Sequence, residues 1–213
     1  MRRTTIYLAR HGQTQWNVER RAQGHLDSPL TEMGVRQATW LRDALIDIYF
    51  DVIYSSSSLR AYRTAEILRA HRTCELVPRD DLREIHLGSW EGKTSSEIRK
   101  THSASHIAYR ETPHLYQPEN GGESFHDVQK RVTQVFNELV TQHEGGTLLV
   151  VSHASALKTL LCHLEHGSLE QLWETPFMHP TALSKVVVED GQFSIELYGD
   201  ISHYPEEERL RVQ

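Results

Sequence analysis

Cysteine is nearly absent: of 213 residues only Cys74 and Cys162 carry a thiol, and they form no CxxC pattern. Neither a disulfide framework nor a cysteine-built zinc site is expected, and free thiols point to a reducing cytoplasm. Long apolar runs are missing too. None exceeds four residues, as in Leu148-Leu149-Val150-Val151, where a bilayer span needs about 20. The first eleven positions include basic residues, yet their apolar stretch is too short for a signal peptide. Positive charge is in deficit, 23 Lys and Arg against 29 Asp and Glu, for a net charge of −6. No overall basic field recruits nucleic acid. Neither a membrane nor a nucleic acid is an expected partner. Repeats and low-complexity segments are also lacking.

What remains is enough for one core: 38% of the residues are hydrophobic and 24% charged, as in ordinary globular domains. Apolar and β-branched runs predict strands over 4–9, 51–55, 74–77 and 147–152. Two late strands, 182–188 and 193–198, flank the Asp190-Gly191 turn. Helical spacing of Val35, Ala38, Leu41, Leu45 and Ile48 predicts a helix from the Thr31 cap to about 49. Further helices are expected over 59–70 and 154–164, and a long one under the stripe Val128, Val132, Val135, Phe136, Leu139, Val140. Positions 94–111 are polar but helix-compatible, 112–122 read as loop, and the charged end at 206–213 is expected to fray. Strands alternating with helices argue a three-layer α/β/α sandwich around a mostly parallel mixed sheet, with some antiparallel pairing at the end.

Fourteen histidines are the oddity. Two of them end strands: 6–9 runs into Arg10-His11-Gly12, and 148–151 into Ser152-His153-Ala154. A third strand delivers Arg60 at the start of its helix. Ligands bind beyond the carboxyl ends of strands in α/β sheets, so two histidines and two arginines are placed to share one crevice.

The longer strings resemble the signature of the histidine phosphatase superfamily, also called phosphoglycerate mutase-like. Leu8-Ala9-Arg10-His11-Gly12-Gln13-Thr14-Gln15-Trp16-Asn17 comes first. Gln23-Gly24, Asp27-Ser28-Pro29-Leu30-Thr31, Ser58-Leu59-Arg60-Ala61, Thr64-Ala65, and Glu84 with Gly88-Ser89-Trp90-Glu91-Gly92 follow in order. Gly121-Gly122-Glu123-Ser124 and Val151-Ser152-His153 complete the series. The resemblance implies one phosphoglycerate mutase-like domain over 1–213, with 94–122 covering the site and 202–213 a charged tail. It also implies that His11 is a nucleophile forming a phosphohistidine, and that Arg10, Arg60 and His153 hold the transferring phosphoryl oxygens. Asn17, Gln23 and Gly24 join them in binding substrate, and the N–H groups after His153 open a helix that favours an anion. Glu84 is then the proton donor and later the base, with Ile85, Leu87 and Trp90 holding its carboxyl partly desolvated and so protonated. Neither a metal nor another cofactor is required.

Ordinary explanations cover much of the rest. Glu91 and Glu111 are rival carboxylates near Glu84, and Arg63 reads as a solvated helix position. His102/His106 and His163/His166 have helical ligand spacing but no third ligand. Two positions depart from the usual pattern, Ala154 where glycine is common and Gln13 where glutamate is.

The family holds both phosphatases and mutases. The stretch 101–122 is short, sets one Arg110 against Glu111 and Glu119, and offers Ile107, Tyr109, Leu115 and Tyr116. A partly aromatic, wetter mouth suits hydrolysis, and Arg83-Glu84-Ile85-His86-Leu87-Gly88 with Pro113-His114-Leu115-Tyr116 is similar to the broad-specificity (PhoE-type) branch. The expected activity is metal-independent hydrolysis of small phosphate monoesters through a phosphohistidine. The alternatives are a phosphoglycerate mutase or a narrower enzyme, such as an α-ribazole phosphate phosphatase. The sequence leaves the physiological substrate and the oligomeric state open.

Overall fold

The computed structural model describes residues 2–119 and 121–212. Six strands form one sheet: β1 (Arg3–Arg10), β2 (Val52–Ser56), β3 (Glu75–Arg79), β4 (Thr147–Ser152), β5 (Leu183–Glu189) and β6 (Gln192–Asp200). Their order is β3-β2-β4-β1-β5-β6. The first four run parallel, while β5 is antiparallel to both β1 and β6. The described helices are α1 (Gln15–Val18), α2 (Glu32–Ala44), α3 (Leu59–Arg69), α4 (Ser95–Thr101), α5 (Ser103–Glu111), α6 (Phe125–Gln142), α7 (Ala154–His166) and α8 (Glu206–Val212).

Strand alternation makes the sandwich. Successive side chains point to opposite faces, and the central strands are apolar on both. Ile6, Leu8, Leu148 and Val150 join the core under α6 and α7. Ala9, Leu149, Val151 and Ile53 join a second core with Leu41 and Leu45 at α2 and Ala61, Ala65 and Leu68 from α3. This is the three-layer, mostly parallel mixed architecture that the sequence predicts. No helix among the described residues is long and apolar enough to cross a membrane.

Two local expectations, at 31–49 and 206–213, give way, and the helix-compatible stretch 94–111 is divided. Helix α2 stops at Ala44 rather than near 49, because Arg72 takes the Leu45 carbonyl and Phe50 turns inward to be buried. Its inward face uses Gly34, Gln37, Ala38 and Leu41, leaving Val35 exposed. The 94–111 stretch breaks at His102 into α4 and α5, the first closed by a Thr94–Glu97 capping box. The charged end forms α8 instead of fraying throughout. Three glutamates occupy its first turn and Arg209 and Arg211 its last, which suits the helix dipole; Gln213 lies outside the described residues.

Candidate active site

Parallel pairing of β1 with β4 sets Arg10 opposite Ser152, so the residues that follow, His11 and His153, emerge side by side. His11 N–H donates to the Ser152 carbonyl at 3.0 Å, and the two imidazoles meet edge to face with centroids 5.2 Å apart. Both are buried. His11 Nδ1 lies 2.7 Å from the Gly12 carbonyl oxygen. A carbonyl only accepts, so Nδ1 carries the proton and the lone pair is left on Nε2. Burial first, then Arg10 and Arg60, hold His11 well below the usual imidazole range. It is neutral, as a nucleophile must be. Gly12 permits this arrangement: a Cβ there would lie 2.5 Å from the Gly34 carbonyl oxygen.

His153 contacts the Ser56 hydroxyl through Nε2 at 2.7 Å, and its Nδ1 has no partner among the described residues. Burial, followed by Arg60, His11 and Arg10, pushes it well down as well. A third positive group is therefore not present before an anion arrives. In the resting site His153 is a neutral hydrogen-bonding group.

Arg60 is sealed in at 2% exposure. Its Nη1 donates to the Leu26 carbonyl at 2.8 Å and Asp27 Oδ1 at 3.0 Å, and its Nη2 to the Gly24 carbonyl at 2.8 Å. Nε has no partner among the described residues. Three of five donors are thus spent on the 24–27 loop, and the Nε–H and second Nη2 hydrogen remain for an anion. Arg10 is organised alike. Nη1 donates to the Met178 carbonyl at 2.6 Å while Nε is unpartnered among the described residues. Burial lowers Arg10 and the Glu84 charge opposes that, which places Glu84 in the same electrostatic neighbourhood.

Glu84 is not seated as its apolar sequence neighbours suggest. Ile85, Leu87 and Trp90 turn into the core. The carboxyl group instead accepts from the backbone N–H groups of Ile85 (3.0 Å), Ser155 (3.1 Å) and Ala156 (3.0 Å). It caps α7, whose own N-cap, His153, makes no side-chain cap bond. The group that occupies this helix end is the protein's own Glu84 carboxyl, and Ala154 begins the helix. Behind Glu84, Arg131 donates to the carbonyls of Asp81, Arg83 and Glu84 and pairs with Glu123. The Gly-Gly-Glu-Ser string thereby becomes scaffolding: Glu123 also accepts the His86 N–H, and Ser124 caps α6.

Gly24 adopts φ +53, and a Cβ would strike the Glu91 carboxylate at 2.2 Å. Glu91 accepts from the N–H groups of His25, Leu26 and Leu87, so this rival carboxylate shapes the loop. Gln23 receives the Ser28 hydroxyl, which itself accepts the Trp16 N–H. Asn17 closes a capping box with Thr14 through Oδ1, and this leaves its amide NH2 for other use. The structure gathers His11, His153, Arg10, Arg60, Glu84 and Gly24 around one point and ties Asn17 and Gln23 into the turns beside it.

The mouth differs from expectation. Tyr116 is fully buried, and Tyr109 packs among Trp90, Tyr116, Phe125 and Trp173 with centroids 4.9–5.9 Å away. Of the four side chains expected there, Ile107 and Leu115 stay exposed. Tyr109 nonetheless reaches Ser155, and burial, reinforced by Glu84, pushes its hydroxyl upward. His102 and His106 lie against Trp90, His163 meets Gln129, His166 pairs with Glu165, and Arg63 pairs with Glu66 on the surface. Sequence reasoning missed Ser56, Met178, Thr181 and His203, for which no local pattern exists. Asp27 stood in a quoted string but without its role as the partner of Arg60.

These imidazoles make stability pH-dependent. Unfolded histidines take up protons near pH 6.5, while His11, His153 and His203 resist them, the last down to about 4. Protons therefore favour the unfolded chain as pH falls from about 6.5 toward 4. Urea unfolding at pH 5 should show a loss of about 2 kcal/mol from His203 alone relative to pH 7.5, with His11 and His153 adding in the same direction. A midpoint unchanged between the two pH values would contradict this.

Residues 6–201 match the profile of the Histidine phosphatase superfamily (branch 1). The solved structure of Bacillus stearothermophilus YhfR is 45% identical with a TM-score of 0.91, covering 94% of this chain and 98% of that one. Phosphoserine phosphatase 1 of Hydrogenobacter thermophilus is 33% identical over 79% of each chain. Phosphoglycerate mutase-like protein 4 of Arabidopsis thaliana is 30% identical over 94% of this chain and 87% of its own. Strand-end histidines, two arginines with unspent donors beside them and a match over nearly the whole length lead to one assignment: the chain belongs to the histidine phosphatase superfamily.

Proposed function

We propose that this chain is a metal-independent phosphomonoesterase that hydrolyses small phosphate esters of varied alcohols through a phosphohistidine on His11. The observation that carries this is the neutral His11 ring, its Nδ1–H held by the Gly12 carbonyl, with unspent guanidinium donors of Arg10 and Arg60 beside it. Nε2 attacks phosphorus as the ester P–O bond breaks, and the leaving alkoxide takes a proton from Glu84. That proton has to be on the Glu84 carboxyl group when the ester bond breaks. Arg10, Arg60, His153 and the Asn17 amide bind the phosphoryl oxygens, and the dianion offsets the burial and the neighbouring positive charge that keep His153 neutral in the resting site. Glu84 then accepts a proton from water as it attacks the phosphohistidine, releasing inorganic phosphate and restoring neutral His11.

Residues 94–122 act as the cover, and their content supports hydrolysis. A mutase has to shield its phosphohistidine and hold a second phosphate, whereas Arg110 here stands against Glu111 and Glu119, with Ile107 and Leu115 exposed. The test is ³¹P NMR with 3-phosphoglycerate and with an aryl phosphate, under excess chelator, using His11→Ala as control. Inorganic phosphate from both, absent in the control, is expected. Conversion of 3-phosphoglycerate to its 2-isomer with little free phosphate would make the chain a mutase; turnover retained by His11→Ala would remove the nucleophile.

A further inference from the structure

The segment before β5 grips the candidate site at several points. Its Met178 carbonyl accepts Arg10 Nη1 at 2.6 Å, and its Thr181 N–H donates to the His11 carbonyl at 3.2 Å. The Ala182 carbonyl accepts the Arg10 N–H at 3.1 Å. Thr181 does this at φ 54, in the left-handed region that a β-branched residue rarely adopts. Such a conformation persists only where neighbours over-determine it.

Those neighbours come from beyond β6. His203 Nε2 meets the Thr181 hydroxyl at 3.0 Å, while His203 Nδ1 is buried with no partner among the described residues. Tyr204 donates to the Pro180 carbonyl and packs its ring on Trp40, 5.5 Å between centroids. From the other side the buried Lys158 of α7 donates to the Thr175 and Pro176 carbonyls. Lys158 and Tyr204 fix the ends of the segment by its main chain. His203 holds the strained residue by its side chain, with the Tyr204 hydroxyl also within reach of Thr181.

We propose that His203 is a positioning residue: it holds Thr181 in the left-handed turn that sets the Met178 carbonyl against Arg10 and the Thr181 N–H on the carbonyl of His11. This rests on the roles given above to His11 and Arg10. A displaced turn frees Arg10 from Met178, and a misplaced guanidinium loses contacts made in the transition state more than those made to bound phosphate.

Full-length His203→Leu and His203→Gln separate this from plain stabilisation, because glutamine keeps a side-chain polar group within reach of Thr181. Amide hydrogen exchange reads the turn directly, and the Thr181 amide of His203→Leu should exchange roughly tenfold faster. With 4-nitrophenyl phosphate, kcat should fall about tenfold or more while KM stays within about twofold. Orthovanadate should inhibit this variant more weakly by a similar factor, with inorganic phosphate inhibition nearly unchanged. His203→Gln should recover kcat to within about threefold. Unchanged exchange at Thr181, unchanged kcat despite faster exchange, or a glutamine variant no better than leucine would each overturn the proposal. A wild-type chain that neither turns over nor binds these anions would overturn the phosphatase reading instead, and the exchange data would still decide whether His203 holds the turn.

Discussion

Arg60→Met should cost both activity and stability, because the guanidinium serves an anion on one edge and the 24–27 loop on the other. The side chain is sealed, so nothing replaces its bonds to the Leu26 and Gly24 carbonyls or to Asp27. Removing one partner of a buried pair costs roughly 3–5 kcal/mol, most of it from leaving the other partner uncompensated, and the lower end applies here because the Asp27 side chain is 26% exposed. For a chain of this length that lowers the melting temperature by about 10 °C, at 2–4 °C per kcal/mol. Losing two donors to the phosphoryl oxygens should reduce kcat/KM by at least about 10³-fold, since one such donor is commonly worth 10²–10³. The two effects are separable. Asp27→Asn keeps an acceptor for Nη1, so it should retain most of the activity while losing some stability. If Arg60→Met melts like the wild type, the loop does not depend on this residue and the reading of its inner donors is wrong.

Glu84→Gln is expected to split substrates by leaving group. An alkyl phosphate needs a proton on the departing oxygen, and general acid catalysis commonly contributes about 10²–10⁴-fold; kcat should fall by that order. With 4-nitrophenyl phosphate the leaving group departs unaided, so the first step should survive within about tenfold, seen as a burst of phenolate of one equivalent. Slow hydrolysis of the phosphohistidine would follow, because the base for water is gone too. Glu84 also caps α7 through Ser155 and Ala156. Glutamine keeps one acceptor oxygen, and the cap loss should cost no more than about 0.5–2 kcal/mol. Equal losses on both substrates, without a burst, would count against Glu84 as the acid and leave it a helix cap.

Local periodicity made most of the architecture legible. Strands β1 and β4 are apolar at their buried positions apart from Thr4 and Ser152, and such runs predict buried central strands whatever surrounds them. The α6 stripe repeats at helical spacing: Val128, Val132, Val135, Phe136 and Leu139 are buried and Val140 is half-buried. Both strand-end histidines and both arginines could be named from the sequence because each directly ends a strand or opens a helix.

What the local pattern could not carry were contacts between distant segments. Glu84 was placed among its sequence neighbours, yet its carboxyl group sits on the N–H groups of a helix more than 70 positions away. The aromatic residues of 94–122 were read as a mouth, and packing turned Tyr116 into core. The free edge of Arg60, the proton on His11 Nδ1 and the clamp on Thr181 depend on carbonyl groups whose positions follow from sheet order and chain crossing. By itself the sequence determined the layers, the strand ends and the chemical types that meet there, since spacings of 2 and 3.6 residues act within a single element. Only the tertiary structure decided which donor, lone pair and charge each of those residues has left to use, because burial and hydrogen-bond partners are set by chain segments far apart in sequence.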